Sequence, residues 1–345
     1  MNAAASPVVG WVAGVAWCLL ALVWLRGLGP MTKVHWMHRL HALLPVACLM
    51  AIALLPAGSI WSTLLHDWLV TGLFVIALLT PVWWWTVRNR NAGVMDVVYS
   101  LTALVPAGLE AWRQPALGAP QWLMLAMMAV WSARLVRHAS GTNLGARGEQ
   151  QPYASWRVQF GRRWWWWSYF QVFLLQGGIV WVWLLPVVLA LNAPAASFTF
   201  LDMAAALLWL VGFGFQAGAD RQLARFKADP AHRGQVLQSG LWALTRHPNY
   251  FGESLMWWAL FLFGLAHPLG WLGIVGPLYA TWFMSIGSAS AMLDRHMLRT
   301  KPDYADYVRR VPGFCPGWKS SRDEQLLAWA AERRRRQAGD GRGTG

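Results

Sequence analysis

Charge is scarce in this chain. Asp, Glu, Lys and Arg make up 13% of its 345 residues, against 57% hydrophobic ones. A soluble domain of this size needs far more charge to cover its surface, so a soluble globular protein is excluded. Lysine is rarer still, 4 residues beside 25 arginines, a bias that hints at a GC-rich bacterial genome and so at the bacterial inner membrane. The three cysteines, Cys18, Cys48 and Cys315, are isolated and odd in number, and supply neither a disulfide frame nor a zinc site. The first apolar stretch lacks a basic leader and a small-residue cleavage site, so it reads as a retained helix. No internal repeat of the kind transporters are built from stands out. His35, His38 and His41 recur at a spacing of three in what reads as a cytoplasmic loop. No carboxylate lies near them, and nine scattered histidines are too few for a membrane di-iron centre, so no metal is expected.

What the chain has instead is long apolar runs. A membrane-spanning helix needs about 20 mostly apolar residues. On that measure nine segments stand out, at 8–26, 42–61, 67–86, 94–111, 120–137, 168–191, 200–218, 249–266 and 269–290. The expected fold is an all-α polytopic bundle. Loops after the odd-numbered segments, with Arg26, Lys33, Arg39, Arg147 and Arg246 among them, hold almost all the basic residues. The alternate loops hold only Arg113. With the tail included, 28 of the 29 Lys and Arg fall on one side, which the positive-inside rule makes the cytoplasm. The N-terminus is then outside and the C-terminus inside. The net charge of +14 reports orientation and anionic lipid, not nucleic acid.

Three parts are expected: helices 1–3 in residues 1–93, a second transmembrane region with cytoplasmic loops in 94–318, and a basic amphipathic tail in 319–345. Trp83 to Trp85 and Trp164 to Trp167 flank arginines and read as belts at the headgroups. In the tail, Ser321 and Glu324 form an S-x-x-E cap ahead of Leu326, Leu327, Trp329 and Arg333 to Arg336. That pattern describes a helix lying on an anionic inner leaflet.

Polar residues that the composition does not require mark the chemistry, because ionisable groups beside lipid are costly. The run GLWALTRHPNYFGE, residues 240–253, places Arg246, His247, Asn249, Tyr250 and Glu253 at the entrance to an apolar helix. Asn249 and Glu253 are four apart and share a face, with Arg246 one turn earlier. Such a helix N-terminus with basic neighbours attracts an anion such as a phosphate. Upstream, GFGFQAGADRQLARFK aligns Gln216, Asp220 and Lys227 on one stripe. Its letters also fit G-x-G-x-x-A from Gly212 to Ala217, but no strand precedes them, so a dinucleotide-binding α/β fold is not read. Downstream, residues 290–316 carry Asp294, Arg295, Tyr304 and Tyr307. On the fourth segment, Asp96 and Tyr99 are three apart and face the same way.

This ordered combination resembles the C-terminal half of the steroid 5-alpha-reductase superfamily, particularly its bacterial branch of unknown function. The resemblance spans residues 95–316 and includes GEQQPY near 148 and FQVFLLQ near 170. The chain departs from the branch at Asp294, where Glu is common, and at Gln150 and Pro152, where a more charged run is usual. By position, the resemblance implies NADPH contacts at Asp220, Lys227, Arg246, His247, Asn249, Tyr250, Glu253, Asp294 and Tyr304. It implies reduction of a carbon–carbon double bond conjugated to a carbonyl in a small hydrophobic, lipid-like substrate that enters from the bilayer. Tyr99, oriented by Asp96, is the expected group on the substrate carbonyl. The R-H-P-N-Y-x-G run is shared with membrane methyltransferases of the isoprenylcysteine and phospholipid types. An enzyme using S-adenosylmethionine is therefore the alternative, although it does not require Asp220, Lys227 or Glu253.

Overall fold

In the computed structural model, residues 7–29, 32, 35–143, 148–287, 289–301 and 303–340 are described, with backbone alone at 7–13, 142–143, 289, 334 and 336–340. Lys33, Arg147 and the side chains of Arg334 and Arg336 lie outside the described residues. All regular structure among the described residues is helical: α1 (Pro7–Arg26), α2 (His35–Leu54), α3 (Ile60–Asn89), α4 (Val94–Val98), α5 (Leu101–Arg113), α6 (Ala119–Asn143), α7 (Tyr153–Phe160), α8 (Trp164–Ser168), α9 (Leu175–Trp183), α10 (Leu185–Asn192), α11 (Phe200–Ala228), α12 (Pro248–Gly264), α13 (Val275–Trp282), α14 (Ala289–Thr300), α15 (Tyr304–Arg310) and α16 (Ser321–Asp340). Among the described residues five helical stretches are long and apolar enough to cross a membrane, at His35–Leu54, Ile60–Asn89, Val94–Arg113, Phe200–Ala228 and Gly270–Thr300. Tyr153–Trp183 with Leu185–Asn192, bent by 45°, makes a sixth. The other three expected segments also form helices, α1, α6 and α12, the last of 17 residues.

Two of the differences from the expected boundaries have a local reason. The second segment runs from His35 to Leu54 and not from 42 to 61. A turn with Gly58 at φ +75° follows it, and the Ser59 hydroxyl then caps α3 by accepting from the Ser62 N–H. His35, His38 and His41 are therefore helical and not in a loop. His38 and His41 are buried, with the Trp24 indole donating to His38 Nδ1 at 2.9 Å and Gln171 at 3.1 Å from its Nε2. The fourth segment is interrupted at Tyr99–Ser100, where the Ser132 hydroxyl on α6 donates to Ser100 Oγ at 3.0 Å.

The chain divides into two compact units, one of residues 1–197 and 264–272, the other of 198–263 and 273–345. In the first, α3 is the central element and packs against α2, α5, α9 and α10. Trp68 on α3 and Trp181 on α9 stack with centroids 4.4 Å apart, and each indole donates to the other's backbone carbonyl, at 3.1 and 2.7 Å. That exchange satisfies two polar groups where no water competes. The tryptophan belt is only half right: Trp165 is exposed, whereas Trp164 and Trp167 are buried. A helical period turns part of a consecutive run inward, and here it fills core.

In the second unit α11 opens with a capping box, Thr199 with Asp202, and runs antiparallel to α12. Gly212 allows the close approach: a Cβ there would lie 2.6 Å from the Gly252 carbonyl oxygen. α14, α15 and α16 form a separate cluster around Leu298, Tyr304, Tyr307, Val308 and Ala330, against which Leu326, Leu327 and Trp329 pack. The tail helix thus spends its apolar face on protein and does not lie on the leaflet by that face. Its cap is also one residue earlier than the sequence suggests, since the Ser320 N–H donates to Asp323 Oδ2 at 3.3 Å.

Candidate functional site

The signature begins at Gly240, whose φ of +62° suits glycine, with the Gln222 side chain where a Cβ would stand. Three contacts then fix the run to its surroundings. The Trp242 indole donates to the Ala219 carbonyl at 3.1 Å, the Tyr307 phenol donates to the Trp242 carbonyl at 2.5 Å, and the Arg246 N–H donates to the Pro312 carbonyl at 2.9 Å. Pro248 opens α12, where a missing N–H costs nothing.

Asn249 and Glu253 both turn toward α11. The Asn249 amide donates to Asp220 Oδ1 at 3.1 Å, and one turn along, the Gln216 amide donates to Glu253 Oε2 at 2.7 Å. Asp220, Gln216 and Glu253 are buried, Asn249 and Tyr250 are partly so, and Lys227 is exposed on the last turn of α11. The expected stripe on α11 is present, with its inner members paired to α12.

Arg246 departs from the expected direction. It precedes the helix start at Pro248, so helical spacing does not govern where it points. Its Nη2 donates to Asp294 Oδ2 at 3.1 Å and to Asp323 Oδ1 at 2.7 Å, and its Nη1 to the Val311 carbonyl at 2.7 Å. At 2% exposure the guanidinium is enclosed. Its pKa is raised above the usual arginine range: burial works against the charge, and the Asp294 and Asp323 carboxylates outweigh it. Asp294 Oδ1 in turn receives His247 Nε2–H at 2.9 Å and the Tyr304 phenol at 2.5 Å. His247 stacks on Tyr250, centroids 5.6 Å apart. Burial, reinforced by Asp294, pushes the Tyr304 phenol well above its ordinary value, and burial does the same to Tyr307. Two buried nitrogens of this cluster have no hydrogen-bond partner, His247 Nδ1 and Arg246 Nε.

In the first unit Asp96 accepts from the Tyr153 phenol at 2.6 Å, and the Gln176 amide lies 3.5 Å from the same phenol oxygen. The Tyr99 ring packs edge-on against Trp131 and Trp183. Sequence reasoning missed Tyr153 as a partner of Asp96, although it closes the GEQQPY run. It also missed Asp323, and a polar cluster of Asp67, Glu110, Arg113 and Asn192. There Arg113 pairs with Asp67 at 2.9 Å and Glu110 at 2.5 Å, while Asn192 donates to Glu110 at 3.0 Å. Arg113 is the basic residue that stands apart in the charge pattern, and the two acids neutralise it. Among the described residues no group of three or more His, Cys, Asp or Glu is placed to hold a metal.

The chain is similar to known proteins over much of this region. Residues 82–311 match a family described as proteins of unknown function, DUF1295. A curated relative, the Delta(14)-sterol reductase erg24 of Schizosaccharomyces pombe, is 29% identical over 163 residues, covering 41% of this chain. The match takes in 37% of that relative's length. No solved structure matches the chain. The signature from Gly240 to Glu253 and the acids paired to it on α11 and α14 lie inside the matched segment, and the chain belongs to the DUF1295 family.

Proposed function

We propose that this protein is an NADPH-dependent membrane reductase, acting on a carbon–carbon double bond conjugated to a carbonyl in a lipid-like molecule. The observation that carries the reading is the double carboxylate–amide bridge between α11 and α12, Asp220 with Asn249 and Glu253 with Gln216, in a chain otherwise built for lipid. Buried acids and amides in such surroundings mark function more often than packing. The residues suit a nicotinamide nucleotide: exposed Arg225, Lys227 and Arg233 supply phosphate-pairing charge, and the buried, unpartnered His247 Nδ1 is a polar atom that a ligand would satisfy. Asp220, Asn249, Tyr250 and Glu253 would hold the nucleotide, with Lys227 toward its phosphates. Arg246, His247, Asp294 and Tyr304 would fix the wall beside it. Bound there, the nucleotide supplies hydride.

The substrate's carbonyl needs a hydrogen-bond donor where negative charge develops. We assign this to the Tyr99 phenol, with Asp96, itself held by Tyr153, orienting the polar segment. Nine spans, a cytoplasmic cofactor side and anionic lipid at the exposed Arg333 and Arg335 complete the reading. The deciding experiment is mass spectrometry of ligand extracted from detergent-purified protein. Nicotinamide nucleotide supports the reading, whereas S-adenosylmethionine replaces it with the methyltransferase alternative. Tyr99→Phe then tests the catalytic assignment: turnover on an identified enone is expected to fall about a hundredfold, the usual scale for a positioned acid, and unchanged turnover rejects it.

A further inference from the structure

We propose that Asp323, on the C-terminal helix beyond the family-matched segment, is a positioning residue for the cofactor site. It rests on the reductase reading above. The Arg246 guanidinium is buried, and its Nη2 is shared by two carboxylates, Asp294 at 3.1 Å and Asp323 at 2.7 Å, with Asp323 the nearer. Asp294 is heavily committed, since its other oxygen receives both His247 and Tyr304. Without Asp323, Asp294 would be the guanidinium's one acid partner while still holding the imidazole and the phenol. The guanidinium would then move toward Asp294, disturbing the bond that orients His247 and, through the turn at Pro248, the first residues of α12.

Several features place Asp323 there and not merely at a helix end. Its two oxygens are divided: Oδ2 accepts from the Ser320 N–H as the helix cap, while Oδ1 reaches Arg246. A Cβ on Gly313 would stand 3.0 Å from Arg246 Nη2 and 3.2 Å from Asp323 Oδ1, so the absence of a side chain there keeps room for the contact. The helix is held in register by Arg322, which donates to the Ser285 carbonyl at 2.8 Å, and by the packing of Leu326, Leu327 and Trp329 on α14 and α15. A cap alone would need none of this. The tail helix is therefore a working part of the site, with Asp323 acting through Arg246 on His247, Asn249 and Tyr250.

The test measures NADPH affinity of the full chain in detergent by energy transfer from tryptophan to the nicotinamide. Asp323→Asn is expected to weaken binding about tenfold, the low end of what loss of a supporting partner costs an oriented site. Asp323→Glu restores most of it, and Glu324→Gln, on the exposed neighbour, changes nothing. Because coupling between two sites is reciprocal, NADPH should also slow hydrogen exchange at residues 321–326 of the wild-type chain. That measurement needs no variant and stands even if Asp323→Asn does not fold. Wild-type protein that binds NADPH with unaltered exchange in α16, or an Asp323→Asn protein that binds as tightly as wild type, overturns the inference while leaving the reductase reading intact. Wild-type protein that takes up no NADPH sinks both.

Discussion

Glu253→Gln separates a cofactor contact from a packing contact. Glu253 Oε2 accepts from the Gln216 amide at 2.7 Å, and the side chain is buried. Glutamine has nearly the same shape and still offers an oxygen to that amide. A hydrogen bond to a charged acceptor contributes about 1.5–3 kcal/mol and a neutral one about 0.5–1.5, so the bridge weakens by about 1–1.5 kcal/mol. Holding a neutral amide away from water costs less than holding a carboxylate, which offsets much of that loss. Folding stability should change by no more than about 1 kcal/mol. A bound nucleotide, by contrast, loses a charged acceptor worth about 1.5–3 kcal/mol, which is about tenfold to 150-fold in Kd. Tryptophan emission reports both quantities in one sample, since the chain has 27 tryptophans: thermal unfolding gives stability and energy transfer to NADPH gives affinity. A Kd within about twofold of wild type, with folding intact, would refute the reasoning and reduce Glu253 to a helix-packing group.

Three further outcomes follow from the same geometry. Arg246→Met leaves Asp294 and Asp323 buried without their shared cation and should cost about 3–5 kcal/mol in thermal or denaturant unfolding; a loss below about 1 kcal/mol would show the network to be dispensable. Gly212→Ala drives a methyl against the α12 backbone and should cost about 1–3 kcal/mol. Gly214→Ala, which meets nothing within 4 Å, should be neutral or stabilising by up to about 1 kcal/mol; equal effects of the two would contradict the close α11–α12 contact. The buried phenols of Tyr304 and Tyr307 have folded pKa values raised above the unfolded value of about 10. Their contribution to stability is therefore whole below about pH 10 and is lost as pH rises beyond it, because only the unfolded chain releases those protons. Absorbance of tyrosinate near 295 nm should show at least two phenols silent until the cluster unfolds, and ready titration of all seven tyrosines in folded protein would exclude their burial.

Much of the candidate site was legible because it is written locally. Asn249 and Glu253 are spaced to share a helix face, Gln216 and Asp220 likewise, and the charge scarcity of the chain made each of them conspicuous. Arg246 was legible as a residue but not as a geometry, since it stands before the helix start at Pro248, where helical periodicity does not apply. Tyr153 closes the GEQQPY run and Asp323 lies beside the expected cap of Ser321 with Glu324, which the structure moves to Ser320 and Asp323. Their partners, Asp96 and Arg246, are 57 and 77 positions away, and no local rule links such distances. The buried histidines of α2 were misplaced because a polar residue in an apolar environment reads as a loop until its hydrogen-bond partners are known.

The sequence alone determined the class of molecule, helical and membrane-embedded, and the residues of the candidate site. Apolar length, helical period and spacing act within one turn or one span, and backbone groups in lipid must be satisfied within the helix itself. Tertiary structure decided which polar groups meet: that α11 and α12 bridge through two carboxylate–amide pairs, and that Arg246 turns to Asp294 and Asp323. The reason is energetic. A buried charge is tolerated only where partners from other elements surround it, and which elements arrive there is settled by packing.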